Sequence, residues 1–296
     1  MRVFVTGATG FVGFAIVREL IGAGHEVRGL ARSEAGARAL AETGAAVHRG
    51  DLQDLESLRQ GAAGMDAVIH TAFIHDFSRF KENCEVDRGV IGALADALGA
   101  GRPLIVTSGT GLLPSGRLAT EDDEVPASAA IPRIASEQAA AEASARGVDV
   151  RVVRLPPSVH GDGDHGFVPL LIGLAREKGL SAYIGEGGNV WPAVHRLDAA
   201  RLYRLVLEKG MAGARYHGVA EDGVPFRRIA EVIGRRLNLP VVALSGDEVA
   251  AHFGWFAHFA AIDNRATGHK TRDALGWHPE ELGLIEDLDR PAYFAA

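Results

Sequence analysis

The sequence is poor in the residues that would mark a secreted, membrane-spanning or nucleic-acid-binding protein. Cysteine occurs once, at Cys84, so no internal disulfide can form and a reducing, cytoplasmic setting is expected. No apolar run reaches the ~18 residues a bilayer-crossing helix needs. The chain enters a strand-like run almost at once, so neither a signal peptide nor a membrane partner is expected. Lys and Arg number 31 against 38 Asp and Glu, a net charge of −7. That balance argues against nucleic acid, whose phosphates need clustered cations. Tyrosine is scarce, with four in 296 residues and none before position 180. Repeats and low-complexity tracts are absent. What remains, 47% hydrophobic and 23% charged residues, is ample for a large folded core with a small-molecule ligand.

Residues 1–155 alternate short β-branched runs with alanine- and leucine-rich helical stretches. Strands are expected at 2–6, 25–30, 45–49, 66–71, 103–108 and 148–155, and helices at 11–22, 33–42, 54–61, 79–100 and 133–146. The strands are nearly continuous hydrophobic runs, as expected when both faces are buried. Such alternation implies right-handed βαβ crossovers, hence a doubly wound α/β fold with a parallel sheet. After Leu155 the pattern breaks at Pro156 and Pro157 and a glycine-rich stretch, HGDGDHG. Residues 1–155 therefore read as a dinucleotide-binding Rossmann domain. Residues 156–296 read mainly as a smaller substrate lobe, with a segment near 190–220 returning to the main domain.

The first strand, RVFVT, runs into Gly7-Ala8-Thr9-Gly10-Phe11-Val12-Gly13 and a helix. Gly7 permits a tight turn, Gly10 lets the backbone approach a pyrophosphate, and Gly13 lets helix and strand pack closely. The helix N-terminus offers free N–H groups to the phosphates. At the end of the second strand, where an acid would bind a ribose 2′-hydroxyl, stand Arg32 and Ser33. A guanidinium pairs with a 2′-phosphate, so NADP(H) is expected in preference to NAD(H), with a solvated surface arginine as the alternative. Asp51, followed by Leu52, stands where it can accept from an adenine amino group or cap the next helix.

Together these motifs resemble the short-chain dehydrogenase/reductase superfamily in its extended, epimerase/dehydratase-like branch. The resemblance runs through TGATGFVG, GDL, VIHTAF, IVTSGT, RLPPSVHGDGD, VHRLDAA and ALGWHP, essentially the whole chain. It implies a cofactor lined by Thr9, Phe11, Val12, His70, Thr71, Ala72, Ser108, Leu155, Pro156 and Pro157 as well as the residues above. It also implies a catalytic serine at Ser108 with Thr110 as its polar neighbour. The long helices 79–100 and 133–146 are, by the same resemblance, where a homodimer would form. The family's Tyr-x-x-x-Lys should fall on the helix near residue 133, where the sequence reads Arg133-Ile-Ala-Ser136-Glu137. Ser136 matches the family's serine before lysine; the tyrosine and lysine are missing.

Arginine is no acid at neutral pH, but Arg133 can hold positive charge against a developing alkoxide. Glu137, one turn on, is expected either to orient Arg133 through an i,i+4 pair or to form an ordinary surface salt bridge with it. Among histidines, His160 replaces the tyrosine of the family's Val-Tyr-Gly stretch and is the candidate proton donor, with water as the alternative. His165 follows in HGDGDHG, and His195 is expected to be packed or hydrogen-bonded. Two His and two Asp in that loop could ligate a metal, but its glycine content favours an active-site loop, and no metal is expected. The expected function is NADP(H)-dependent reduction of a small carbonyl compound. The alternatives are an NADPH-binding redox sensor without turnover and an epimerase or dehydratase acting on a sugar-type substrate. The aromatic stretch 250–263 reads as a lid over an apolar substrate or, more simply, as a helix face buried in the fold.

Overall fold

A computed structural model describes residues 1–125 and 131–295. The first half runs β1 (Arg2–Thr6), α1 (Phe11–Gly22), β2 (Glu26–Ala31), α2 (Glu34–Glu42), β3 (Ala46–Arg49) and α3 (Leu55–Ala62). It continues β4 (Ala67–His70), α4 (Phe80–Leu98), β5 (Pro103–Gly109), α5 (Ile134–Ala145) and β6 (Asp149–Leu155). The second half adds β7 (Ser158–His160), α6 (Phe167–Lys178), β8 (Ser181–Ile184), β9 (Val190–His195), α7 (Arg196–Lys209) and β10 (Arg215–His217). After these come β11 (Glu221–Pro225), α8 (Phe226–Leu237), β12 (Val241–Leu244), α9 (Asp247–Phe253), α10 (Ala257–Ala260), α11 (His269–Leu275) and α12 (Leu284–Leu288).

Seven strands form one parallel sheet in the order β10-β6-β5-β4-β1-β2-β3. The order in which successive strands are added reverses between β1 and β4, and the crevice at such a switch point is where doubly wound sheets bind ligands. Alternate residues of each strand feed opposite layers. Val3, Val5, Ile69 and Ile105 pack with α1, α2 and α7, whereas Phe4, Val68, Leu104 and Val106 pack with α3, α4 and α5. Burying each such side chain stabilises the fold by about 1.5–3 kcal/mol, so a register slip would expose a whole layer.

The chain beyond Leu155 divides its allegiance. α7 lies along α1, and β10 pairs in parallel with β6 at the edge of the main sheet. The remaining segments build a separate core around Trp191, Phe226, Phe253 and Phe256, with a three-stranded sheet β11-β9-β7 and a two-stranded sheet β12-β8. Among the described residues, no helix is long and apolar enough to cross a membrane.

Candidate active site

The β1–α1 turn is built for close approach. Gly7 has φ +67°, and a Cβ there would lie 2.7 Å from the Ala72 nitrogen in the loop after β4. A Cβ on Gly13 would collide with the Gly7 carbonyl oxygen. Gly10 is the N-cap of α1 and offers no capping side chain, so the first-turn N–H groups stay free for an anion. Thr71 donates to the Thr6 carbonyl at 2.8 Å and ties the two loops together. Phe11 and Val12 are half-buried and Thr9 is exposed at this turn. These residues fit a dinucleotide pyrophosphate.

At the adenosine end, Ser33 caps α2 by accepting from Gly36 N at 3.1 Å. The Arg32 side chain is 84% exposed, with Asp51 at 3.8 Å. Asp51 does not cap α3; it accepts from Gln53 N at 2.9 Å, and Asp54 is the cap. Leu52 packs partly buried behind it. Across the sheet, Leu155 ends β6, and Pro156 is buried with Pro157 half-buried beside it.

The expected Arg133–Glu137 pair does not form. The N-terminus of α5 overhangs the ends of β4 and β5, and its two charged side chains reach different partners. Arg133 turns inward, donating to Asp87 of α4 at 2.6 Å and to the Thr107 carbonyl at 3.1 Å. It also donates to Ser136 Oγ, which in turn donates to Asp87 at 2.5 Å. Its guanidinium lies 4.1 Å over the Phe73 ring. A cation at a helix N-terminus opposes the macrodipole by about 0.3–1 kcal/mol, so the Asp87 carboxylate is what makes this placement tolerable. Burial opposes ionisation of Asp87, but His70 and the Arg133 guanidinium outweigh it and hold the carboxyl below the ordinary range.

Glu137 instead forms a two-pronged pair with Arg154 of β6, both contacts 2.8 Å. Arg154 is enclosed and also donates to the Asp123 carbonyl at 2.8 Å. Burial disfavours the Glu137 charge, yet Arg154 and the Ser108 hydroxyl keep its pKa below the usual value. The Arg-x-x-x-Glu departure from the family pattern therefore comes with two buried counter-charges, Asp87 and Arg154.

This geometry alters the expectations for other residues. The Ser108 hydroxyl donates to Glu137 at 2.7 Å, so its one proton is committed. Thr110 is buried and donates to Asn264 at 2.7 Å. His70 does not face the crevice: Thr6 Oγ1 lies 2.7 Å from its Nδ1, and its Nε2 lies 2.9 Å from Asp87. It buttresses Asp87 from behind the strand ends. His160 is 1% exposed and held by Asp287 at 2.9 Å, within the second core and without contact to the Arg133 network. His195 caps α7 by accepting from Leu197 N at 3.3 Å. His165 sets its ring edge-on to Phe11 at 5.8 Å. Tyr203 reaches β5 from below, 2.6 Å from Thr107 Oγ1, but it is wholly buried, and burial pushes its phenol above the ordinary range.

Sequence reasoning missed Asp87, Phe73 and His75. His75 follows β4 with its ring 5.3 Å from Phe73. Its ring also lies 6.3 Å from that of Phe77, and desolvation, then the charges of Arg133 and His165, lower its pKa. The aromatic stretch 250–263 splits its roles. Phe253 and Phe256 are core, whereas Trp255, 56% exposed, stacks on Phe77 at 5.0 Å across the cleft. Among the described residues, no group of three or more His, Cys, Asp or Glu is arranged to hold a metal.

A model of the NAD dependent epimerase/dehydratase family matches residues 3–219. The chain belongs to this family. An uncharacterised member of the curated proteins from Schizosaccharomyces pombe is 51% identical over 99% of this chain and 100% of its own. The 2-alkyl-3-oxoalkanoate reductase of Stenotrophomonas maltophilia is 30% identical over 82% of this chain and 77% of the relative. The solved dTDP-glucose 4,6-dehydratase of Streptomyces venezuelae, with NAD and TYD bound, superimposes with a TM-score of 0.77 at 23% identity. The match covers 99% of this chain and 97% of the other, and it shows the shared fold. With this membership, the protein is an NAD(P)-dependent oxidoreductase of the short-chain dehydrogenase/reductase type.

Proposed function

We propose that the protein uses NADP(H) to reduce a carbonyl group on a small, largely apolar molecule, with Arg133 standing in for the absent tyrosine. The observation that carries this reading is the inward guanidinium, locked by Asp87 and Thr107 beside the β4 and β5 ends. Its Nη1 protons are taken by Asp87 and Ser136, and one Nη2 proton by Thr107. Nε–H and the second Nη2 proton remain for a substrate oxygen. Nicotinamide, when bound, supplies the hydride. As the carbonyl π pair moves onto oxygen, Arg133 stabilises the alkoxide, and that oxygen then takes a proton from water. General acid catalysis contributes about 10²–10⁴-fold, so a site without a phenol is slowed, not silenced. Charge stabilisation by a fixed donor supplies about 10²–10³-fold.

The apolar substrate is supported by the rings of Phe73, Phe77, Phe167, Trp255 and Phe259 between the two cores. The reductase relative acts, by its name, on an alkyl oxoacid, which fits that lining. NADP(H) is supported by Arg32 and Ser33 at the end of β2. The test is a panel of apolar ketones and aldehydes, with nucleotide sugars as controls, read by oxidation of NADPH and of NADH. Turnover of an apolar carbonyl with NADPH is expected. Tight NADPH binding with no carbonyl turnover, or selective turnover of nucleotide sugars, would overturn the reading.

A further inference from the structure

Every other buried or half-buried arginine among the described residues has a hydrogen-bond or ion-pair partner, as Arg133 has Asp87, Arg151 has Asp149 and Arg59 has Glu56. Arg196 is half-buried and forms neither an ion pair nor a side-chain hydrogen bond with them, and its Nε is buried without a partner. Leaving a buried cationic donor unmet is costly and calls for an acceptor from outside the chain.

Its position says which acceptor. Arg196 opens α7, the helix lying along α1, and its guanidinium carbon lies 5.1 Å over the ring of Phe11, the first residue of α1. Stacking on a ring leaves the in-plane N–H fork free for oxygens. Alongside run Gly161 and Gly163, with φ +134° and +83°. A Cβ on Gly161 would lie 3.2 Å from Arg196 Cγ, so the glycine loop leaves the arginine its room. The uncapped N-terminus of α1 begins at the same place.

We infer that Arg196 grips the pyrophosphate of the dinucleotide, closing from the α7 side the anion site that the glycine turn opens. Two non-bridging oxygens match its fork, and the phosphate charge supplies the counter-ion that the chain withholds. Because Arg196 follows directly on β9 of the second sheet, this grip also joins cofactor binding to the part of the fold that carries Trp191 and Phe167.

The test compares wild type, Arg196→Gln and Arg196→Lys, titrated with NADPH, ADP-ribose 2′-phosphate, ADP-ribose and adenosine 2′-monophosphate. Only the last lacks a pyrophosphate. Arg196→Gln is expected to weaken the three pyrophosphate-bearing ligands by about 10- to 100-fold and the monophosphate by less than about 2-fold. Arg196→Lys, keeping charge without the fork, falls between, and the salt dependence of the glutamine variant is shallower. Unchanged binding of the pyrophosphate ligands, or an equal loss for the monophosphate, overturns the inference. Should the glutamine variant fail to fold, the lysine variant carries the same contrast. ADP-ribose makes the outcome independent of whether NADPH or NADH is preferred.

Discussion

Removing the Glu137 carboxylate leaves the Arg154 guanidinium, 0% exposed, with the Asp123 carbonyl but no counter-charge. Breaking a buried pair on one side costs about 3–5 kcal/mol, whereas replacing both partners by apolar groups is often neutral. Glu137→Leu and Arg154→Met are each expected to lose stability on that scale. At about 2–4 °C per kcal/mol for a chain of this order of size, either single change lowers the melting temperature by roughly 10 °C. The double variant should recover at least half of the loss. The measurement is urea and thermal unfolding of all four proteins by circular dichroism. Acidification gives an independent check on the sign. The Glu137 pKa is lowered in the fold, so its contribution is complete above an unfolded value of about 4.3 and fades as pH falls through the folded one. Wild type should therefore lose more stability than the double variant below about pH 4. Single variants within about 0.5 kcal/mol of wild type, a scale typical of uninvolved surface sites, would refute the pairing.

Three further outcomes follow from the same structure. Arg32→Ala should weaken NADPH binding about 10-fold and leave NADH within about 2-fold; equal losses would remove the 2′-phosphate role. Gly13→Ala places a methyl against the Gly7 carbonyl, and dinucleotide binding measured by fluorescence titration should fall below detection. Cys84 is buried, and desolvation pushes its thiol up to about 11, so a disulfide reagent at pH 8 should modify it only after urea unfolding; prompt labelling of the native protein would contradict that placement.

The sheet was legible because its strands are continuous apolar runs and its helices are set between them; the six expected strands match β1 to β6 to within a residue or two. The glycine turn was legible for a different reason: steric demands at Gly7 and Gly13 leave no other residue. The charge network was not. An i,i+4 rule finds the nearest carboxylate along a helix, Glu137, but Arg133 sits where the helix overhangs two strand ends, and Asp87 reaches it from α4. Glu137 likewise meets Arg154 from the strand hydrogen-bonded beside Ser108. Pairings across elements leave no local period. The partner of His160 was illegible as well, because its place in a motif carries no information about Asp287, which arrives from α12.

The decisive measurement is the single-turnover rate of NADPH oxidation with saturating carbonyl substrate in Arg133→Met, set against wild type. A fixed cation at the reacting oxygen predicts a rate at least about 100-fold lower while the dissociation constant for NADPH moves by less than about 3-fold. A rate equal to wild type would mean that Arg133 is only an ion-pair partner for Asp87 and that the carbonyl is activated elsewhere.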